Sequence, residues 1–328
     1  MKRVALLLSI LFGPCGFTRA EPVVLGHGPA RYTVDLNWAK ADPAVAPVVN
    51  SHALAEGRDG RIYLVTDHPK NDFIVFEKDG VEYLVHVDSG WHMAAEGWKP
   101  TAVEGGVALL TTEGKVVRRF PTPAELGLKD GKFMPCDVAW SPAGTLLVAD
   151  GYGSNFVYEF SFEGVFLKKW GGPTKDAANL ANAHGISIDA ADPRGPLVWV
   201  PSRSQNQIKA FTLDGAHVDT IELPGAFAGQ LCFRGDKIYT AVCWSKDAKG
   251  QRQGQSGFLL VLDRATKRVL SAPGGSEPSY VDGKLQPLSQ TQPVFKHGHD
   301  LYVDSAGDIY LGEWNAERRY PSKLSLVR

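Results

Sequence analysis

The chain has 328 residues, with 35 lysines and arginines against 36 aspartates and glutamates and a formal net charge of −1. That balance lacks the basic footprint of a nucleic-acid binder, so nucleic acid is not an expected partner. Beyond the leader discussed next, no apolar run is long enough to cross a bilayer, so no membrane span is expected.

Residues 1–20 open with Lys2 and Arg3, continue with an apolar run from Val4 to Phe12, and end at Thr18-Arg19-Ala20. This pattern predicts a cleaved signal peptide and a periplasmic or secreted protein comprising residues 21–328. Without Lys2, Arg3 and Arg19 the mature chain has 32 basic and 36 acidic residues, mildly acidic. Its cysteines are Cys136, Cys232 and Cys243, which permit at most one disulfide. A two-residue turn at Gly235-Asp236 places Cys232 opposite Tyr239, away from Cys243.

From there the chain repeats. Ser51-His52-Ala53-Leu54, Trp91-His92-Met93-Ala94, Pro135-Cys136-Asp137-Val138, Ala183-His184-Gly185-Ile186, Gly229-Gln230-Leu231-Cys232 and Gly298-His299-Asp300-Leu301 share one register. Gly60, Gly144 and Gly307 each follow eight residues after that position and precede the apolar segments Ile62–Val65, Leu146–Val148 and Ile309–Leu311. A third strand follows a polar loop, as in Phe73–Phe76, Val157–Phe160 and Ile208–Phe211, and ends at Asp79-Gly80, Glu163-Gly164 or Asp214-Gly215. Polar, glycine-rich residues 245–257 read as a loop, and residues 271–296 as a long connection able to cover a channel mouth.

Six copies predict an all-β, six-bladed β-propeller forming a single domain. The last copy stops after its third strand, Lys323–Val327, so Arg31–Leu36 is expected to supply the outer strand and close the ring. Equivalent positions in a radial array lie at equal distance from the axis. Residues 52, 92, 136, 184, 230 and 299 should therefore ring the channel mouth. His92, His184 and His299, from alternate blades, then suit a zinc with three nitrogen ligands and an open fourth position. His52 and Cys136 share the register and are candidates for an additional ligand. Tyr152 and Arg203 occupy matching places five residues before the third strands of blades three and four, flanking His184. A phenol beside a metal suits a general base, and a guanidinium suits a carboxylate.

The stretches Pro135–Trp140, Val148–Asn155, Lys169-Trp170-Gly171, Ala183–Asp189, Arg203 and Gly298-His299-Asp300 together resemble the peptidyl-α-hydroxyglycine α-amidating lyase family. The match runs best over about 133–215 and returns near 295–315. The resemblance implies a six-bladed propeller of NHL-like repeats with zinc on His92, His184 and His299, Tyr152 taking the hydroxyl proton and Arg203 holding the carboxylate. It implies cleavage of an N-acyl-α-hydroxyglycine, a small-molecule or peptide substrate with a carboxylate, into an amide and glyoxylate. It also implies a structural calcium in the channel, whose site the sequence does not locate. A monomer is expected. The chain departs from the family where a second arginine belongs, since Thr66 and Asp67 stand there with His68 and Lys70 close by. Gly153 replaces the cysteine beside Tyr152. No copper monooxygenase is fused to the chain, so the substrate would come from another source. Two other readings compete: a non-catalytic secreted propeller binding a peptide or cell-envelope partner, and a different metal-dependent hydrolase or lactonase. The latter is disfavoured because the ring holds histidine rather than carboxylates and asparagine.

Overall fold

The computed structural model describes residues 22–39, 48, 50–56, 62–66, 75–78, 81–93, 100–111, 114–317 and 320–328. The expected signal peptide, Gly60, and the group Asp67, His68 and Lys70 lie outside the described residues. Among those described, every regular element is a strand except the short 3-10 turn Arg203–Gln205. None is a helix long and apolar enough to cross a membrane.

Three successive sheets are four-stranded antiparallel meanders. The first runs Asp137–Trp140, Leu146–Ala149, Phe156–Phe160 and Phe166–Gly171; the second Ser187–Asp189, Leu197–Ser202, Gln207–Thr212 and His217–Glu222; the third Ala226–Arg234, Lys237–Ser245, Phe258–Asp263 and Val269–Ser271. Leu146–Ala149 and Leu197–Ser202 are buried at every residue, because side chains on both faces of these strands meet a neighbouring sheet. The turn glycines act where expected. Gly144 and Gly307 adopt φ of +78° and +84°, a left-handed conformation that glycine enters without steric cost. Arg234 pairs with Lys237 across Gly235-Asp236, and Cys232 pairs with Tyr239 as the turn demands. Cys136, Cys232 and Cys243 are all free thiols.

The core lies between sheets rather than within one. Val85, Val107 and Leu109 pack on Val138, Leu146 and Phe160. Ala139, Leu147 and Trp170 pack on Ile186, Val198 and Phe211. Trp199, Ile208 and Ile221 meet Leu231, Ile238 and Leu260, and Tyr239, Leu259 and Val261 meet Leu301, Ile309 and Leu324. Each such buried Leu, Ile, Val or Phe contributes about 1.5–3 kcal/mol relative to an exposed one.

Inner edges are tied by a recurring polar link. Asp137 Oδ2 accepts the backbone N–H of Ile186 at 2.8 Å, joining the first meander to the second. Asp300 Oδ2 accepts the N–H of Leu54 at 2.9 Å, joining the last sheet to the strand Ser51–Glu56 in the same manner. Burial raises both carboxyls, Asp137 to about 7 and Asp300 to about 8, against the backbone hydrogen bonds that favour their ionised forms.

The final sheet holds Gly298–Val303, Ile309–Glu313 and Ser322–Leu326, and Ala30–Asp35 adds to its edge with Tyr32 opposite Leu326 and Asp35 opposite Lys323. The N-terminal strand thus occupies the outer position the sequence assigned to Arg31–Leu36. A further strand, Val24–His27, extends the sheet to five.

Two expectations are corrected. The hairpin at Asp79-Gly80 forms as expected, with Lys78 opposite Val81, but Val81–Asp88 is not an outer strand: it pairs on with Gly106–Thr111 and through it Val116–Phe120. Among the described residues Ser51–Glu56 and Ile62–Thr66 form a two-stranded pair, as do Trp91–Met93 and Pro100–Ala102. The pairing of Val81–Asp88 with Gly106–Thr111 aligns Leu84 with Leu110 and Val85 with Leu109, all four buried, so apolar burial favours it. The 271–296 connection is also not a cover over the histidines. Leu288 and Phe295 are buried in the cores on either side of the third meander, and the hairpin of Tyr280–Val281 with Lys284–Leu285 lines a groove with the turns at 189–194 and 263–268.

Candidate active site

Antiparallel meanders place the start of the first strand beside the end of the second: Asp137 pairs with Ala149, Ala183 with Ser202, Gly298 with Glu313 and Ser51 with Thr66. The residue at each start and the loop leaving each second strand therefore share one rim. The turns at 189–194 and 263–268 lie at the other ends of the strands, on the opposite face.

The Tyr152 loop is built around Asp150, which is fully buried. Its Oδ1 accepts the N–H of Met134 at 2.6 Å and its Oδ2 accepts the N–H and the hydroxyl of Ser154, both at 2.7 Å. A Cβ on Gly153 would stand 2.4 Å from the Asp150 carboxylate and 2.4 Å from the Lys132 carbonyl, so this loop excludes any larger residue beside Tyr152. Arg203 opens the 3-10 turn, closed by Asn206 at φ 55°, whose amide donates to the Ala226 carbonyl at 2.9 Å.

The rim brings most of the expected residues together. The Tyr152 hydroxyl and His184 Nε2 are 2.6 Å apart. The ring centroids of His184 and His299 are 5.0 Å apart, and those of His299 and His52 also 5.0 Å. His299 Nδ1 donates to the His52 carbonyl at 2.9 Å, which leaves the Nε2 lone pair of His299 available. Cys136 lies alongside, since a Cβ on Gly151 would be 2.9 Å from its Sγ. His92 lies in the strand Trp91–Met93, paired with Thr101, and its side chain is outside the described residues. That strand borders the site, because the Trp91 ring stands 6.2 Å from Tyr152, edge to face.

Burial governs the protonation states. It holds His184 and His299 well below the usual imidazole value, helped by Arg203 at His184 and by His52 and Arg203 at His299, so both rings are neutral. Desolvation of the side-chain end pushes up the Tyr152 hydroxyl, although the residue as a whole is 38% exposed, and the half-buried Cys136 thiol, with Arg203 opposing in each case. Arg203 is only 3% exposed. Its Nε donates to the Ala228 carbonyl at 3.3 Å, while its Nη2 is buried without a hydrogen-bond partner. A buried guanidinium left without an anion is costly, and one that a ligand anion reaches is a binding group.

Among the described residues no group of three or more His, Cys, Asp or Glu side chains is spaced to hold a metal. The chemistry of the two described members of the expected set nonetheless suits zinc. His184 is buried and His299 half-buried, both are uncharged, and His299 is oriented through Nδ1, the usual arrangement behind a ligating imidazole.

Three rim residues escaped the sequence reading: Trp244, Trp314 and Arg252. Trp314 follows the end of its second strand, Glu313, just as Arg203 follows Ser202, so the register that found Arg203 also identifies Trp314 when carried to the last repeat.

No family model matches the chain, and no curated protein matches it. Solved structures do. Virginiamycin B lyase from Staphylococcus aureus is 14% identical with a TM-score of 0.49, over 91% of this chain and 88% of that one. A protein of unknown function from Bacteroides caccae is 13% identical with a TM-score of 0.44, over 90% and 84%. The WD40 β-propeller domain of Doa1 is 11% identical with a TM-score of 0.46, over 94% and 98%. Likeness at this level leaves both the number of sheets and the chemistry to be read from the chain itself.

Proposed function

We propose that the chain is a periplasmic or secreted six-bladed propeller, closed by its N-terminal strand, and that its rim is the active site of a lyase that cleaves N-acyl-α-hydroxyglycine-like substrates into an amide and glyoxylate. One observation carries the reading: a tyrosine hydroxyl 2.6 Å from a neutral histidine, with a second neutral histidine in ring contact and a buried arginine whose Nη2 lacks a partner. Ring closure is supported by the Asp300–Leu54 link, which relates last sheet to first as the Asp137–Ile186 link relates two consecutive sheets.

His92, His184 and His299 would hold zinc, which supplies Lewis-acid polarisation of the substrate hydroxyl. Arg203 Nη2, already desolvated, takes the carboxylate and fixes the substrate on the rim. Tyr152, beside His184, stands where it can receive the hydroxyl proton. As the carbonyl of glyoxylate forms, the bond from carbon to the amide nitrogen breaks, its electron pair goes to nitrogen, and the proton returns there to complete the amide. Desolvation raises the hydroxyl of the free Tyr152, so its turn as base depends on positive charge close to its oxygen; Arg203 already opposes that rise.

The test is incubation of the zinc-loaded mature protein with α-hydroxyhippurate. Glyoxylate and benzamide in equal amounts are expected; a metal-loaded, folded protein that releases neither overturns the assignment.

A further inference from the structure

Beside Arg203 the rim carries a construction that the reaction above leaves unused. Trp244 is the penultimate residue of the strand Lys237–Ser245, and the following loop folds back so that Arg252 bridges to Lys246. The Arg252 guanidinium lies over the Trp244 ring, 4.8 Å from its centroid, and the Arg203 guanidinium lies 5.7 Å from the same ring. Trp314 and Phe227 meet that indole edge to face at 6.2 and 6.3 Å, and His297 meets it at 6.0 Å. His297 is buried; its Nε2 accepts the N–H of Gln255 at 3.1 Å, and its Nδ1 has no hydrogen-bond partner.

These groups differ from a packed core in three respects. Trp244, Trp314 and Phe227 are half-buried, so flat apolar surface remains open to solvent, and Arg252 is exposed. The acidic side chain of the loop, Asp247, is engaged by the loop itself, accepting N–H groups of Lys249 and Gln251. The other nearby carboxylate, Glu313, is buried and accepts the N–H of Lys296 at 2.7 Å. Arg203 therefore keeps a buried Nη2 without a partner, its guanidinium 5.7 Å from the Trp244 ring, and Arg252 borders the same ring as an exposed side chain. A planar guanidinium stacked on an indole is held in orientation while its N–H groups stay free for a ligand.

We propose that Trp244, Trp314 and Arg252 form the acyl-group subsite, which selects carboxylate ligands bearing an aromatic N-acyl group. The proposal rests on the reading of Arg203 as the carboxylate clamp. In it the aryl ring lies against Trp244 and Trp314, the acyl carbonyl oxygen faces Arg252, and Arg203 holds the carboxylate. Trp244 then sets the preference for an aromatic acyl group and Arg252 adds affinity for the acyl carbonyl, neither touching the bond that breaks.

Calorimetric titration of the full protein with hippurate, N-acetylglycine and hippuramide tests this without requiring turnover. Hippurate should bind about tenfold tighter than N-acetylglycine, as expected for one stacked aromatic contact with its buried area. Trp244→Leu should lower that ratio to about twofold, Arg252→Gln should weaken both acids about tenfold because both carry the acyl carbonyl, and hippuramide should bind about tenfold more weakly than hippurate. Arg252→Gln changes an exposed side chain, so its result stands even if Trp244→Leu fails to fold. Unchanged affinity for both acids in Arg252→Gln, or equal affinity for the two acids in the parent protein, overturns the subsite. Failure of the lyase reading looks different: hippurate affinity tracks Arg252 while α-hydroxyhippurate yields no glyoxylate. Glyoxylate release with no preference for the aromatic acyl group leaves the lyase and removes the subsite.

Discussion

Charge is treated in opposite ways on the two faces of the body. The face away from the histidines has a groove of about 970 Å3 lined by Asp189, Asp192, Arg194, Asp219, Arg264 and Lys267. Its buried carboxylates are matched. Asp192 receives Arg194 through Nε at 2.9 Å and Nη2 at 3.0 Å, with Lys267 at 3.7 Å, and Asp189 receives the Arg264 fork, Nε at 3.1 Å. On the histidine rim the buried cation, Arg203, has no ion pair among the described residues, and the titratable rings beside it are neutral. Matched charge fixes neighbouring turns to one another. Unmatched buried charge marks where a ligand completes the structure.

The largest expected effect breaks the rim. Arg203→Gln should lower kcat/KM for α-hydroxyhippurate by about 10²–10³-fold, the size seen when one preorganised charge-stabilising donor is lost. Its melting temperature should hold or rise, because the substitution removes an uncompensated buried charge. A fall of several degrees would mean Arg203 is structural, which would erase the contrast between the faces. Next in size is the mirror experiment. Arg264→Gln leaves the Asp189 carboxylate, 1% exposed, without its partner. A loss of about 2 kcal/mol in urea unfolding is expected, below the range for a fully buried pair because Arg264 itself is partly solvated. Ligand affinity on the rim should not change.

How much of this was legible depends on whether a residue's role is local. The meanders at 137–222 follow from period-two apolar strands, turn glycines such as Gly144, and a fixed register, and that register also placed His184, Tyr152 and Arg203 on one rim. Partner choice was not local. Phe73–Phe76 reads as a third strand that hairpins into an outer one, yet the strand after the hairpin, Val81–Asp88, joins Gly106–Thr111 because Leu84 and Val85 find buried partners there. Polar composition made 271–296 look like a cover and concealed the two residues that anchor it, Leu288 and Phe295. Trp244 reads as core, and only the placement of Arg203 and Arg252 against its ring shows otherwise. That Arg203 lacks a carboxylate is a fact of tertiary structure with no sequence signature.

Titration sharpens the contrast at a smaller scale. Asp192 is held down to about 2, chiefly by its hydrogen bonds from Arg194, whereas an unfolded aspartate titrates near 3.9. A depressed carboxyl contributes stability that is present above the unfolded value and lost as pH falls toward the folded one. The stability difference between the parent and Asp192→Asn should therefore be largest above pH 5, about 1 kcal/mol once solvent screening of the exposed Arg194 is allowed for, and should vanish near pH 2. Chemical denaturation at pH 6, 4 and 2.5 measures it; a difference that grows on acidification would contradict the pairing.

The smallest effect tests whether burial, rather than pairing itself, separates the two kinds of charge. Lys168 Nζ meets Asp214 Oδ1 at 3.1 Å, a distance no worse than several of the buried pairs, but the Asp214 side chain is 95% exposed. Lys168 also reaches Glu159 at 3.4 Å and the Leu213 carbonyl at 3.2 Å, so it keeps partners when Asp214 is removed. Water screens the attraction and re-solvates both ends at little cost, so Asp214→Asn should change stability by no more than about 0.5 kcal/mol, and less still in molar salt. A loss as large as that of Arg264→Gln would mean that geometry alone sets the value of an ion pair in this protein. In that case the missing partner of Arg203 would carry no special meaning, and the rim would have to be identified from the tyrosine–histidine contact alone.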